Sequence, residues 1–371
     1  MVRLLIFIYS LHCGGAERVA ANMANHWATK GWDVTLVTVA SPESDFYPLH
    51  SLVRRFALKE IRGGGLLGST KTFVHRLFSL RRVLRHVRPD VAVAMMPTGN
   101  ILLALARLGL SIPSVGSVRC HPPMYSLRMV DDWLQRLSYG LLDGVVVLTE
   151  ETAQLLRQHK RARNIWVIPN AVSWPLPPLE PRFSPARVVA PGNKVMVAVG
   201  RLEVQKGFDL LIEAFAPLVT KHSDWILVVI GEGSERPALE ALIERHRLHG
   251  RVFLPGRVGN VGEWYETASL FVLSSRFEGF PNSLLEALAS GVPAITFDCE
   301  TGPQDIIQHG VNGLMIPSGD VVRLTEAMDR LMGDAVLRKR LGLRAAKIRE
   351  EFSFERIGAM WEKIFLRLIQ T

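Results

Sequence analysis

Residues 275–293 read SRFEGFPNSLLEALASGVP and contain both a helix start and a helix stop. Asn282 suits an N-cap, Ser283–Ala289 reads as a helix, and Gly291 with Pro293 ends it. Leu270–Ser274 ahead of it and Val292–Phe297 behind it read as strands. Strand, loop, helix, strand is the crossover unit of a parallel sheet, so the fold class is α/β. The helix is apolar almost all round (Leu284, Leu285, Ala287, Leu288, Ala289), as a buried helix is.

The same alternation runs outward in both directions. Val2–Tyr9, Val34–Val39, Val91–Met95, Ser114–Val118 and Val145–Thr149 read as strands of a first half, with helices at Ala16–Lys30 and Leu134–Leu142. Val195–Val199, Trp225–Ile230 and Val252–Leu254 read as strands of a second, with helices at Phe208–Lys221 and Glu235–Leu248. Two helices are expected after Asp320, and Phe354–Ile369 is amphipathic. Between the halves, seven prolines from Pro169 to Pro191 exclude a helix or central strand. The expected organisation is a first domain over 1–168, a linker over 169–193 and a second domain over 194–353. Two doubly wound, Rossmann-like domains would face a central cleft at their strand C-termini, where such sheets bind ligands.

With 371 residues, 48% of them apolar, the chain can bury two cores. Its first apolar run, Leu4–Ile8, is far below the roughly 20 residues of a membrane span. Cys13, Cys120 and Cys299 are odd in number and scattered, which excludes a disulfide framework or a zinc spacing and favours a reducing cytoplasm. The net charge of +9 is uneven: residues 1–168 hold 21 Lys and Arg against 11 Asp and Glu, and residues 169–371 hold 23 against 24. A basic first half points to an anionic partner: a phosphate-rich surface, nucleic acid or membrane.

Glu278 and Glu286, with seven residues between them, would stand about 12 Å apart along an unbroken helix. That exceeds the roughly 5–9.5 Å of a glycosidase carboxylate pair, and Pro281 interrupts the helix in any case. Glu278 is thus placed in a loop above the helix start and Glu286 a turn inside. One carboxylate can meet sugar hydroxyls and the other the vicinal diol of a ribose; Glu278 also reads as an ordinary loop residue. A buried, unpaired Glu286 would be costly. Gly279 permits close backbone approach, and the amides of the helix start form an anion site. Arg201 and Lys206 follow the strand Val195–Val199. They read equally as a diphosphate grip or as two solvated loop charges.

EGFPNSLLE resembles the E-x7-E motif of retaining GT-B glycosyltransferases of family 4. Gly14-Gly15-Ala16-Glu17 resembles that family's N-terminal glycine loop, Gly200-Arg201 through Lys206-Gly207 its G-R…K-G element, Gly231-Glu232-Gly233 its G-x-G turn, and Gly310–Gly313 its late G-x-x-G turn. The resemblance implies a nucleotide-sugar donor in the C-terminal domain, by default a UDP-sugar, and an acceptor in the N-terminal one. It implies that Arg201 and Lys206 bind the donor diphosphate, Glu286 the ribose and Glu278 the donor sugar. Backbone over Gly279, Phe280, Pro281 and Asn282 would take the distal phosphate, with the base near Pro255–Val258. It also implies a final helix, about 354–371, that crosses back to the first domain.

On the acceptor side, Gly14 and Gly15 allow close approach to a phosphate or acceptor, or form only a tight turn. No G-x-G-x-x-G is present, which disfavours a nicotinamide cofactor. Arg119 and His121 follow a strand edge and could approach the reacting sugar; His121 also reads as a plain loop histidine. From Lys71 to Arg88 an apolar stripe of Phe73, Leu77, Leu80, Leu84 and Val87 opposes Lys71, Arg81, Arg82 and Arg85, with Phe78 among the cations. With Arg76, that set is expected to meet a lipid-linked acceptor or an anionic membrane, and Gly63–Gly68 to form a loop that touches it; a solvated face is the alternative. No Asp-x-Asp motif occurs, so neither metal nor cofactor is expected. The expectation is a retaining hexosyl- or N-acetylhexosaminyltransferase acting on a lipid-linked or envelope glycan, peripheral to the inner face of the cytoplasmic membrane. A GT-B sugar-nucleotide epimerase and a basic nucleic-acid-binding protein are the competing readings; the absence of a nucleic-acid motif disfavours the latter.

Overall fold

The computed structural model describes residues 1–58, 70–119, 129–158 and 162–370. The chain divides into two compact units, Met1–Ala171 with Phe354–Thr371, and Val172–Ser353. In the first, the described residues form seven parallel strands: β1 (Arg3–Ile8), β2 (Asp33–Thr38), β3 (Arg54–Ala57), β4 (Val91–Met95), β5 (Ser114–Ser117), β6 (Gly144–Val147) and β7 (Ile165–Val167). They lie in the order β3-β2-β1-β4-β5-β6-β7. β1 pairs in register with both β2 and β4, Leu4 standing beside Val34 and Val91. The middle strands are buried along their length because helices cover both faces of a parallel sheet.

Helix Gly15–Thr29 buries Val19, Ala20, Met23, Ala24 and Trp27. Helix Phe354–Gln370 packs within this same unit. Phe365 meets Trp27 edge-on at 5.3 Å between ring centroids, and Glu362 Oε1 accepts from Trp27 Nε1 (3.1 Å) and Lys30 Nζ (2.7 Å). Trp361 is 2% exposed. Trp361→Ala should therefore cost about 3–5 kcal/mol of unfolding free energy, measurable by urea denaturation.

Helix Thr70–Val87 turns Leu80, Leu84 and Val87 into the core, with Phe73 and Leu77 packed beside them. Its outer face departs from expectation at two cations. Arg76 is buried, not presented outward: Nη2 donates to Tyr9 Oη at 3.1 Å and the guanidinium lies 5.2 Å from that ring's centroid. It falls one residue before Leu77 and four before Leu80, on the flank of the apolar stripe. Arg81 Nη1 donates to the carbonyls of Ala106 and Leu108 (2.7 and 2.6 Å), where the helix Met96–Ala106 ends. Lys71, Phe78, Arg82 and Arg85 remain exposed. Gly63–Gly68 lies outside the described residues.

In the second unit the strands are β8 (Lys194–Val199), β9 (Trp225–Ile230), β10 (Val252–Gly256), β11 (Ala268–Leu273), β12 (Ala294–Asp298) and β13 (Gly313–Pro317), in the order β10-β9-β8-β11-β12-β13. The helix from Phe208 stops at Phe215, and Pro217 turns the next residues into a 3₁₀ segment. Within this unit three helices follow Asp320: Val321–Gly333, Ala335–Ala345 and Ile348–Glu351. From Val172 on, the proline-rich stretch belongs to this unit. Phe183 stacks on Trp264 with centroids 6.2 Å apart, its carbonyl accepts from Trp264 Nε1 (3.0 Å), and Asn260 Oδ1 accepts from Phe183 N (3.0 Å). Prolines that cannot join a sheet here form a strap with its own aromatic anchor.

Each sheet reverses its winding beside its first strand, between β1 and β4 in one unit and between β8 and β11 in the other. Loops at the C-terminal ends of those strands frame the position where doubly wound sheets bind ligands.

Candidate functional site at the switch point of the second unit

The loop after β8 carries Arg201 and Lys206, and the loop after β11 carries Glu278. They meet at the switch point. Lys206 Nζ lies 2.5 Å from Glu278 Oε1, with side chains only 15% and 7% exposed. Ser275 Oγ donates to the same Glu278 oxygen at 2.6 Å, and Thr301 Oγ1, after β12, donates to the Glu278 carbonyl. The carboxylate is thereby fixed by an ammonium and a hydroxyl, in a pocket of the fold where an isolated charge would be unstable. Arg201 is exposed and its side chain makes no hydrogen bond or ion pair among the described residues, so its fork stands ready for an anion.

The loops can approach this closely because of two glycines. Gly207 has φ +60°, and a Cβ there would lie 2.1 Å from the Ser274 carbonyl. Gly231, at the end of β9, has φ +148°, and a Cβ would lie 1.8 Å from the Gly200 carbonyl. Gly207→Val should therefore disturb the Lys206 loop doubly, by left-handed strain and by collision. A lowered melting temperature, read by thermal denaturation, is the expected result.

The helix after this loop spans Asn282–Ala289. Asn282 is its first residue, not its cap; Pro281 occupies the cap position, extended at φ −77° and ψ 100°, without a side-chain hydrogen bond. Proline's fixed φ makes that turn, so Asn282 need not. Phe280 is buried against Phe352, centroids 5.8 Å apart, which leaves the backbone of this loop, more than its side chains, for a ligand. Glu286 is 5% exposed and accepts from Tyr265 Oη at 3.3 Å.

Cys299 Sγ donates to the Ser275 carbonyl at 3.0 Å. Burial first, and the Glu278 carboxylate second, push its pKa up to about 12 from an ordinary 9.0. Since the folded state keeps this proton while the unfolded chain releases it, stability should decline as pH rises from 9.0 towards 12. In the folded protein near neutral pH, alkylation should spare Cys299 and proceed faster at the less buried Cys13. Mass spectrometry of the alkylated protein reads this.

The remaining predicted residues lie in the first unit. Gly14 caps helix Gly15–Thr29 with extended backbone (φ −157°), and Glu17 Oε2 lies 2.2 Å from where a Gly14 Cβ would be. A carboxylate thus already crowds the glycine pair expected to face a phosphate. Arg119 is turned inward. Nε donates to Ser117 Oγ (2.9 Å), Nη1 to Asn170 Oδ1 and Nη2 to Met23 Sδ (3.7 Å), and the guanidinium lies 5.9 Å from the Trp361 ring centroid. Burial pulls its pKa down to about 9. His121 lies outside the described residues. Sequence reading passed over Ser275, Tyr265, Arg276 and Thr301; Ser275, Arg276 and Thr301 sit at C-terminal strand ends of the switch-point sheet, which was the available signal.

The family described as glycosyl transferases group 1 matches residues 181–348, and the glycosyl transferase 4-like domain matches residues 14–171. An α-1,4-N-acetyl-D-galactosaminyltransferase of Campylobacter jejuni, named for a diNAcBac-PP-undecaprenol-linked glycan, is 26% identical over 98% of this chain and 98% of its own. Sucrose-phosphate synthase of Thermosynechococcus elongatus superposes with a TM-score of 0.86 at 18% identity, covering 100% of both chains. HepE of Anabaena, solved in complex with UDP, gives 0.78 at 18% identity over 99% of this chain and 100% of that one. Two Rossmann-like parallel sheets of this kind make the fold GT-B. The chain belongs to the glycosyl transferases group 1 family and is a glycosyltransferase.

Proposed function

We propose that this glycosyltransferase moves a hexose or N-acetylhexosamine, with retention of anomeric configuration, from a UDP-sugar to a lipid-linked or envelope glycan at the inner face of the cytoplasmic membrane. One observation carries the reading: an exposed arginine and a Lys206–Glu278 pair stand together at the switch point of the second sheet. The difficult step is departure of the diphosphate from an oxocarbenium-like sugar. Arg201, Lys206 and the helix start at Asn282 supply positive potential where that negative charge grows. Glu278 takes donor-sugar hydroxyls and Glu286 the ribose diol. The departing phosphate can accept the proton of the acceptor hydroxyl, so no further base and no metal is required. The UDP bound by HepE and the polyprenol-diphosphate glycan in the name of the Campylobacter relative support the donor and acceptor classes.

The membrane component rests on the exposed Phe78 (64%) and Val74 (41%), flanked by Lys71, Arg82 and Arg85 on helix Thr70–Val87. Among the described residues no helix is long and apolar enough to cross a bilayer. At about 1 kcal/mol per cation near an anionic surface, replacing Lys71, Arg82 and Arg85 together by Gln should largely abolish co-sedimentation with phosphatidylglycerol vesicles. Equal binding by the triple variant removes this part of the proposal.

The central test is a panel of sugar nucleotides screened for thermal stabilisation, then turnover with a polyprenol-diphosphate glycan and NMR of the new linkage. Stabilisation by a UDP-sugar and an anomeric configuration matching the donor are expected. No stabilisation by any activated sugar overturns the donor site; product formed from donor alone favours an epimerase.

A further inference from the structure

We infer that Arg276 is the positioning residue of the donor site: it fixes the turn that carries Lys206, and so sets where the cation meets a diphosphate. The inference rests on the donor reading above. Lys206 ends a one-turn 3₁₀ segment, Val204–Lys206, and each carbonyl of that segment accepts a hydrogen bond from the loop after β11. Arg276 Nη1 donates to the Val204 carbonyl at 2.7 Å, Arg276 N donates to the Gln205 carbonyl at 2.8 Å, and Ser274 Oγ donates to the Lys206 carbonyl at 3.0 Å. Gln205 Nε2 answers with a bond to the Phe277 carbonyl at 3.0 Å. Two of the three carbonyls accept from Arg276, Val204 from its guanidinium and Gln205 from its backbone N–H.

The guanidinium is itself held by Asp209, in the first turn of helix Phe208–Phe215. Nη1 lies 2.9 Å from Oδ1 and Nη2 2.7 Å from Oδ2, the two-pronged geometry only arginine offers. Asp209's hydrogen bonds raise the pKa of Arg276. Partial burial is the largest single influence and works to raise Asp209, but the hydrogen bond and charge of Arg276, joined by backbone hydrogen bonds, hold the carboxyl below its ordinary range. Both groups stay ionised through the neutral range. Asp209, Arg276 and the 204–206 turn thus form one brace. It begins two residues from Glu278 and ends at Lys206, the two members of the switch-point pair.

The two side chains are 34% and 46% exposed, and a pair this open contributes little to global stability. That separates a brace from a surface ion pair: removing a brace should cost function out of proportion to folding. A displacement of about 1 Å at a reacting centre costs on the order of 100-fold in rate.

The test compares wild type with Arg276→Ala, Arg276→Lys and Asp209→Asn, by melting temperature, amide hydrogen exchange across residues 203–209, and steady-state kinetics on the nucleotide sugar accepted by wild type. Expected for Arg276→Ala are an almost unchanged melting temperature, faster exchange confined to that loop, and kcat/KM lower by about 10- to 100-fold. Arg276→Lys should restore part of it, since a lysine reaches one carbonyl but cannot fork Asp209. Unchanged loop exchange and unchanged kcat/KM in Arg276→Ala overturn the inference. A fall in kcat/KM fully accounted for by a fall in melting temperature overturns it too. Because exchange is read without substrate, a wild-type protein that turns over no nucleotide sugar defeats the donor reading while exchange still decides whether Arg276 braces the loop.

Discussion

Lys206→Ala is expected to lower sugar transfer by about 100-fold or more, the loss typical of removing a charge-stabilising group from a preorganised site, and to lower stability with it. The two effects have separate origins. Transfer falls because the developing diphosphate charge loses its inner cation, while Arg201 is retained. Stability falls because Glu278, 6% exposed, loses its ammonium partner. Breaking a buried pair on one side costs about 3–5 kcal/mol. Replacing both members, as Lys206→Met with Glu278→Gln, should therefore recover much of the melting temperature and none of the transfer. A single Lys206→Ala variant with near-normal turnover would falsify the assignment of this site. Parallel recovery of stability and activity in the double variant would show the pair to be a folding element alone.

Glu286→Ala is expected to have the second-largest effect, mainly on donor affinity. A carboxylate that accepts from both hydroxyls of a ribose makes two charge-assisted bonds, each contributing about 1.5–3 kcal/mol. Losing both weakens donor binding by about two orders of magnitude or more. Glu286→Gln keeps the volume and one acceptor, so its loss should be intermediate. Fold should survive in both, because Tyr265 Oη also donates to the Ser283 carbonyl and keeps a partner. Calorimetric titration with the preferred UDP-sugar measures the effect. Affinity equal to wild type in Glu286→Ala would move the ribose elsewhere.

The parts of the fold open to reading were those where the physics is local. Trp225–Ile230 and Val91–Met95 are uninterrupted apolar runs, and such runs become central parallel strands. Edge strands broke that rule. β3, Arg-Arg-Phe-Ala, is only half covered, β7 has three residues, and β13 ends in Pro317. Helix Met96–Ala106 hid behind breakers. It contains Pro97, Gly99 and Asn100, yet it is almost wholly buried, and Asn100 exchanges two hydrogen bonds with Ser117 of β5. Tertiary contact there overrides propensity. On the site, motif spacing marked Lys206 and Glu278 singly, but their pairing spans 72 residues and is a property of strand order. The face of helix Thr70–Val87 was legible only in outline, because Arg76 lies on the flank of the apolar stripe, where a period of 3.6 does not decide between Tyr9 and water.

The helix Phe354–Gln370 completes the first unit although the whole second unit precedes it in the chain. During synthesis the surface destined for Trp361 and Phe365 therefore stays uncovered until the ribosome has delivered the whole second unit. The second unit, drawn from one continuous stretch, meets no such delay.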